Sequence, residues 1–146
     1  METAQAELLY PDLSYQIQGC FFKVYNTLGF GHKEVVYQRS LGEELNDRGI
    51  PFEREKALPV NYGSKKVGEY RPDFVISESI IVEVKALEYM PKKFVTQLVY
   101  YLKGTSYRLG YLVNFGSPKI QIIRKIWSRE YRMNTNHSEL ISDNLL

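Results

Sequence analysis

The sequence predicts an α/β layered domain built around a mixed sheet with helices on its faces. Two observations carry that reading. Apolar residues recur every three or four positions from Leu13 to Leu28 and again after Lys33, then give way to alternation and short continuous apolar runs. A further helical stretch after Pro91 is followed by two more apolar strands, so the order is helix, helix, three strands, helix, strand, strand. A strand returning parallel after that helix makes a right-handed crossover.

Each element has its own signal. Asp12 or Ser14 is placed to cap a first helix whose inner face is Leu13, Ile17, Cys20, Phe21, Val24 and Leu28. Gly29-Phe30-Gly31 ends it. A second helix is expected from about Lys33 to Arg48, stopped by Gly49 and Pro51, with Glu34, Tyr37, Leu41 and Leu45 on its inner stripe. Phe52 to Tyr62 reads as one strand, Gly63-Ser64 as a turn and Lys66 to Ile76 as the return. Ile80 to Ala86 follows after Ser77-Glu78-Ser79, giving a three-stranded antiparallel meander. Pro91 suits the first turn of a helix reaching Lys103 and stopping at Gly104. Leu109 to Phe115 and Ile120 to Trp127 are the last strands. The domain is expected over 13–128, between an N-terminal extension, 1–12, and a C-terminal tail, 129–146.

Composition bounds the function. A chain of 146 residues with 44% apolar content suits one domain, and a net charge of +2 excludes a polycationic coat but leaves room for a local basic groove. The start lacks a basic segment followed by a long apolar run, and no window approaches about 18 uninterrupted apolar residues. A cytoplasmic protein without a membrane partner is the expectation. The single cysteine, Cys20, fits a reducing compartment and a packing role.

The chemistry is announced by charges in apolar surroundings. Asp73 opens one strand, Glu83 and Lys85 interrupt the next on one face, and Glu34 sits in register with the core-facing residues of the second helix. Burying unpaired charge costs roughly several kcal/mol, so the cluster needs a partner within the protein or a cation from outside. Mg²⁺ takes oxygen ligands from one to three carboxylates and keeps several waters, which suits Asp73 and Glu83 with Glu34 as a third. Mn²⁺ is the expected substitute. Lys85 is placed to position a water or to stabilise charge developing on a phosphate. Gln97 and Tyr101, four apart on the third helix, share a face suited to bracing a phosphodiester.

These residues resemble a known family. Arg71-Pro72-Asp73, the ten-residue step to Glu83-Val84-Lys85, and Gln97-x-x-x-Tyr101 look like the PD-(D/E)xK nuclease superfamily, particularly its RecB-like branch. Gly31-x-x-Glu34-x-x-Tyr37 resembles the naming motif of the small GxxExxY proteins within it. The similarity runs from about Leu13 to Trp127 and takes in Leu112-Val113-Asn114-Phe115-Gly116. It implies a restriction-endonuclease-like αβββαβ core, a divalent metal at Glu34, Asp73 and Glu83, and Lys85 as catalytic lysine. Tyr25 stands where relatives often carry a histidine, and Phe30 where they carry a proline.

The expectation is therefore a Mg²⁺-dependent nuclease acting on nucleic acid, DNA before RNA, with Glu34, Asp73, Glu83, Lys85, Gln97 and Tyr101 as its site. Lys65, Lys66, Lys92, Lys93, Arg124 and Lys125, with Arg129 and Arg132, are candidate phosphate contacts; solvated surface charge is the plain alternative. Among the tyrosines, Tyr37 and Tyr100 are expected in the core. A homodimer is expected if both strands of a duplex are cut. The rival reading is a catalytically silent module of the same fold that binds nucleic acid or a protein.

Overall fold

The structure, a computed structural model, describes residues 9–127. Arg129, Arg132 and the 129–146 tail lie outside the described residues, as does most of the 1–12 extension.

Helix α1 (Pro11–Leu28) begins without a side-chain cap. Asp12 and Ser14 do not cap it: the helix starts after Tyr10, whose backbone is left-handed, with Pro11 in its first turn. Proline presets the helical φ and has no N–H to satisfy, which lessens the need for a cap. Ser14 instead turns inward, and its buried hydroxyl has no hydrogen-bond partner. Helix α2 (Glu34–Asp47) buries Tyr37, Leu41 and Leu45, the expected stripe, and leaves Glu34 half-buried in its first turn.

The expected meander is broken at two points. Where one strand was expected over 52–62 there are two, β1 (Phe52–Arg54) and β2 (Leu58–Tyr62), because Glu55 between them adopts φ 52°. The return is likewise divided into β3 (Lys65–Tyr70) and β4 (Phe74–Ile76) by Arg71-Pro72-Asp73. Pro72 has no N–H to give a ladder. The chain therefore changes sheets at both breaks, and β2 pairs with β3 alone as a separate two-stranded sheet.

The main sheet has the order β1-β4-β5-β6-β7, with β5 (Ile80–Lys85), β6 (Leu109–Asn114) and β7 (Gln121–Ile126). Helix α3 (Lys92–Gly104) joins β5 to β6, which run parallel; the other neighbouring pairs are antiparallel. This is the mixed α/β sheet the sequence predicts.

Strand alternation sorts the core into two layers. Val82 and Val84 pack with Phe21, Tyr37 and Leu41 beneath α1 and α2. Ile81 and Leu112 pack with Leu98 and Leu102 of α3 and with Leu58 and Tyr70 at the base of the β2–β3 hairpin. Each fully buried aliphatic side chain contributes roughly 1.5–3 kcal/mol. Glu83 and Lys85 share the alternation of Ile81, so they face the α3 side, where a pocket interrupts the apolar layer. Cys20 lies fully buried between the first helices, and burial pushes its thiol up to about 11, which suits packing and not reactivity.

Candidate active site

Asp73 and Glu83 clasp one another across the end of the β4–β5 ladder. The backbone N–H of Asp73 donates to Glu83 Oε1 at 2.9 Å, and the N–H of Val84 donates to Asp73 Oδ2 at 2.7 Å. Pro72 and Asp73 lie in the break before β4, and beyond the last ladder pair, Phe74 with Val82, side-chain oxygens take over where backbone pairing stops. Burial pushes the Glu83 carboxyl up to about 7, and the neighbouring Asp73 charge pushes the same way; the Asp73 N–H, the Tyr70 hydroxyl and Lys85 oppose them. Asp73 is also raised, chiefly by burial, against the pull of the Val84 N–H, Lys85 and Arg54.

Lys85 ends β5, and a buried side chain pins the chain just beyond it. Asn114 Oδ1 accepts from the N–H groups of Leu87 at 2.9 Å and Gly116 at 3.0 Å. Its amide donates to Leu87 O at 2.9 Å and Gln121 Oε1 at 2.8 Å. Gly116 allows this approach: a Cβ there would lie 2.2 Å from the backbone nitrogen of Leu87. The Lys85 ammonium rests 4.3 Å from the centroid of the Phe94 ring, a cation–π contact from the first turn of α3.

Glu34 arrives from the other layer. Its placement explains the Gly31-x-x-Glu34-x-x-Tyr37 spacing: the Tyr37 hydroxyl donates to Gly29 O at 2.6 Å and accepts from the His32 N–H at 3.2 Å. The Tyr37 ring, fully buried, stacks on Phe115 with centroids 4.8 Å apart. The turn is thus tied to the helix it precedes. Burial raises the Glu34 carboxyl, Lys85 lowers it and Asp73 raises it, so all three stand within electrostatic reach. Gln38, one turn on, gives Glu34 Oε2 a long hydrogen bond of 3.5 Å. Among the described residues, however, no three His, Cys, Asp or Glu side chains gather tightly enough to hold a metal ion as they stand. Asp73 and Glu83 are in contact, whereas Glu34 is coupled to Asp73 and Lys85 through charge.

Gln97 and Tyr101 take the face the sequence predicts. They line the pocket with Tyr70, Glu83, Lys85 and Phe94, and Gln97 Nε2 donates to the Tyr101 hydroxyl at 3.2 Å.

The candidate phosphate contacts divide. Lys92 and Lys93 are exposed at the start of α3, beside the pocket. Lys65 and Lys66 sit at the hairpin tip, and Lys66 is paired with Glu69 at 2.9 Å. Arg124 and Lys125 lie on β7, two strands from β5. Arg124 pairs in register with Tyr111, so it faces the α1 layer, away from Glu83, and its guanidinium donates to Leu9 O at 3.3 Å. Tyr100, expected in the core, is 55% exposed. Helix phase puts it on the side of α3 opposite the buried Leu98 and Leu102.

Sequence reasoning missed Tyr70. It is buried, donates its hydroxyl to Glu83 Oε1 at 3.0 Å, and stacks on Tyr101 with centroids 3.5 Å apart. Burial is the largest of the effects that hold its own proton on. Its place next to Arg71-Pro72-Asp73 was the available signal. Arg54 was also missed: it donates to Asp73 O at 2.9 Å and Gln38 Oε1 at 3.5 Å while covering the Phe74 ring.

Comparison with known proteins bears on the family and the fold. A family model of the PD-(D/E)XK nuclease superfamily matches residues 11–126. The crystal structure of SSO0001 is similar in fold, with a TM-score of 0.51 at 22% identity over 75% of this chain and 56% of that one. The crystal structure of an alkaline exonuclease (LHK-Exo) from Laribacter hongkongensis matches at a TM-score of 0.37 and 8% identity, over 71% of this chain and 58% of that one. The chain thus spans less than two thirds of either structure. No curated protein matches.

Proposed function

The chain belongs to the PD-(D/E)XK nuclease superfamily, and from that premise we propose that it is a metal-dependent nuclease hydrolysing phosphodiester bonds, with Mg²⁺ as the working ion, Mn²⁺ as a substitute and DNA as the substrate. The observation that carries the reading is the mutual hold of Asp73 and Glu83, with Glu83 and Lys85 together lining a pocket walled by Gln97 and Tyr101. The Gly31-x-x-Glu34-x-x-Tyr37 spacing supports placing it with the small GxxExxY proteins.

The donor set suits a hard cation. All three acids carry carboxyls raised by burial, and Glu83 and Asp73 repel one another, so positive charge nearby is favourable. Asp73 and Glu83 would hold the ion, with Glu34 completing the oxygen donors. A divalent cation there supplies Lewis acidity and a more acidic water. The protein's own residues do the rest. Tyr70 and the Asp73 N–H fix the Glu83 carboxylate from one side. Lys85, steadied over Phe94, presents a positive charge to the scissile phosphate and orients the attacking water. Gln97 and Tyr101 offer hydrogen bonds to a phosphate or its waters.

Incubation with plasmid, linear and single-stranded substrates in Mg²⁺ or Mn²⁺ tests the reading. Cleavage should stop with chelator and fall by about 10²–10³-fold in Lys85→Ala, the scale of losing a positioned electrostatic group. Equal activity in that variant defeats it. A silent module is the second reading, favoured by the absence of a gathered metal triad among the described residues. It predicts no Mn²⁺ uptake in calorimetry. Cutting both strands of a duplex takes two copies of the site, and cutting a single strand takes one.

A further inference from the structure

On the nuclease reading, which it deepens, we propose that the outer face of α3 is a track for a single nucleic-acid strand, with Tyr100 as the platform for an unpaired base and Lys92 and Lys93 as the phosphate contacts. A groove on this face is lined by Lys92, Lys93, Phe94, Gln97, Tyr100 and Tyr101. Phe94, Gln97 and Tyr101 also line the pocket that holds Glu83 and Lys85, so the groove runs beside the reacting groups with those three side chains as the shared wall. A strand lying along it runs next to those groups.

Its chemistry selects the occupant. Helix α3 has no acidic residue from Lys92 to Gly104 and carries lysines at both ends, so the helix itself presents no carboxylate to an anion. Its rings, Phe94, Tyr100 and Tyr101, lie between Lys92 and Lys93 at one end and Lys103 at the other, so stacking surface and positive charge share the helix. Tyr100 is the decisive residue: a large ring 55% exposed, on the face of α3 opposite the buried Leu98 and Leu102. Its orientation is held by Lys103, whose ammonium lies 4.8 Å from the Tyr100 centroid and 4.7 Å from that of Trp127. Lys93 and Tyr100 are seven residues apart, two turns and roughly 10 Å along one helix face, so a strand can meet both. A duplex keeps its bases stacked on one another and offers this ring nothing but backbone. An exposed aromatic between lysines distinguishes the two forms, because only an unpaired base presents its flat face.

The test uses the full chain carrying Lys85→Ala, in chelator, so that binding is read without cleavage. Fluorescence anisotropy with a labelled single strand of about 16 nucleotides and the matching duplex should favour the single strand by about 10-fold or more. Adding Tyr100→Ala should weaken the single strand by about 5- to 150-fold and leave the duplex unchanged, while Tyr100→Phe keeps the ring and the affinity. Replacing Lys92 and Lys93 together by alanine should reduce the slope of log affinity against log salt by about 1.4, the share of two phosphate contacts on a single strand. Equal or tighter duplex binding, no binding to either form, or an unchanged affinity in Tyr100→Ala overturns the proposal. Failure of the nuclease reading shows separately, as a wild-type protein that binds the strand yet leaves it uncut in Mg²⁺ and Mn²⁺.

Discussion

Tyr70 shows how much a site depends on residues that never touch the reacting atoms. Its hydroxyl and the Asp73 N–H both engage Glu83 Oε1, which fixes the rotation of that carboxylate. Outer partners of this kind affect metal affinity or activity by about 10–100-fold. Tyr70→Phe, which keeps the stack on Tyr101, should therefore weaken Mn²⁺ binding by calorimetry and lower kcat on that scale, with a melting temperature close to wild type. Glu83 also gives the protein a pH signature. Its carboxyl titrates near 4.5 when unperturbed and about 7 in the fold, so its contribution to stability is fully present below pH 4.5 and is lost as pH rises through 7. Glu34 and Asp73 are shifted in the same direction. Metal-free protein should lose melting temperature across that window relative to Glu83→Gln, whose curve lacks this step, and a divalent cation should restore the loss.

Among the elements, the end of β5 is the one on which the site is most sensitive to distant change. Asn114 holds the segment after Lys85 through hydrogen bonds to both backbone groups of Leu87. Asn114→Ala leaves those groups without their partner and should cost about 2–4 kcal/mol in chemical denaturation. Gly116→Ala should be worse, since its new methyl meets backbone atoms of Ala86 and Leu87 that no rotamer change can move aside. Helix α3 carries the opposite balance. Lys92 and Lys93 stand in its first turn, where the helix dipole disfavours cations. Lys92→Glu should raise stability by about 0.3–1 kcal/mol while reducing nucleic-acid affinity. A variant that gains on both measures contradicts a binding role for that residue.

At the scale of the whole molecule, the β4–β5 ladder sets Asp73 beside Glu83, the α3 crossover between the parallel β5 and β6 lays Gln97 and Tyr101 along the pocket of Glu83 and Lys85, and α2 brings Glu34 within electrostatic reach of Lys85 and Asp73. A strand-selective enzyme needs a single copy of that site. Light scattering should accordingly find a monomer wherever cleavage is confined to single strands, and a dimer wherever both strands of a duplex are cut. Among the described residues no helix is long and apolar enough to cross a membrane.

Most of this plan was legible in the order of residues. Periodicity set three helices and the sheet strands, and charges in apolar runs named Asp73, Glu83 and Lys85, because burying such groups is too costly to be incidental. The division of the meander was not legible: it rests on a left-handed Glu55 and on Pro72, whose effect on pairing depends on which neighbour the strand has found. Tyr70 and Tyr100 show the same limit, one buried against Glu83 and the other left in the open. Local spacing specifies helix phase and strand alternation, which are properties of the backbone alone. Which carboxylates touch, which ring faces solvent and which lysine borders the pocket follow only once non-local strand pairing has chosen the neighbours.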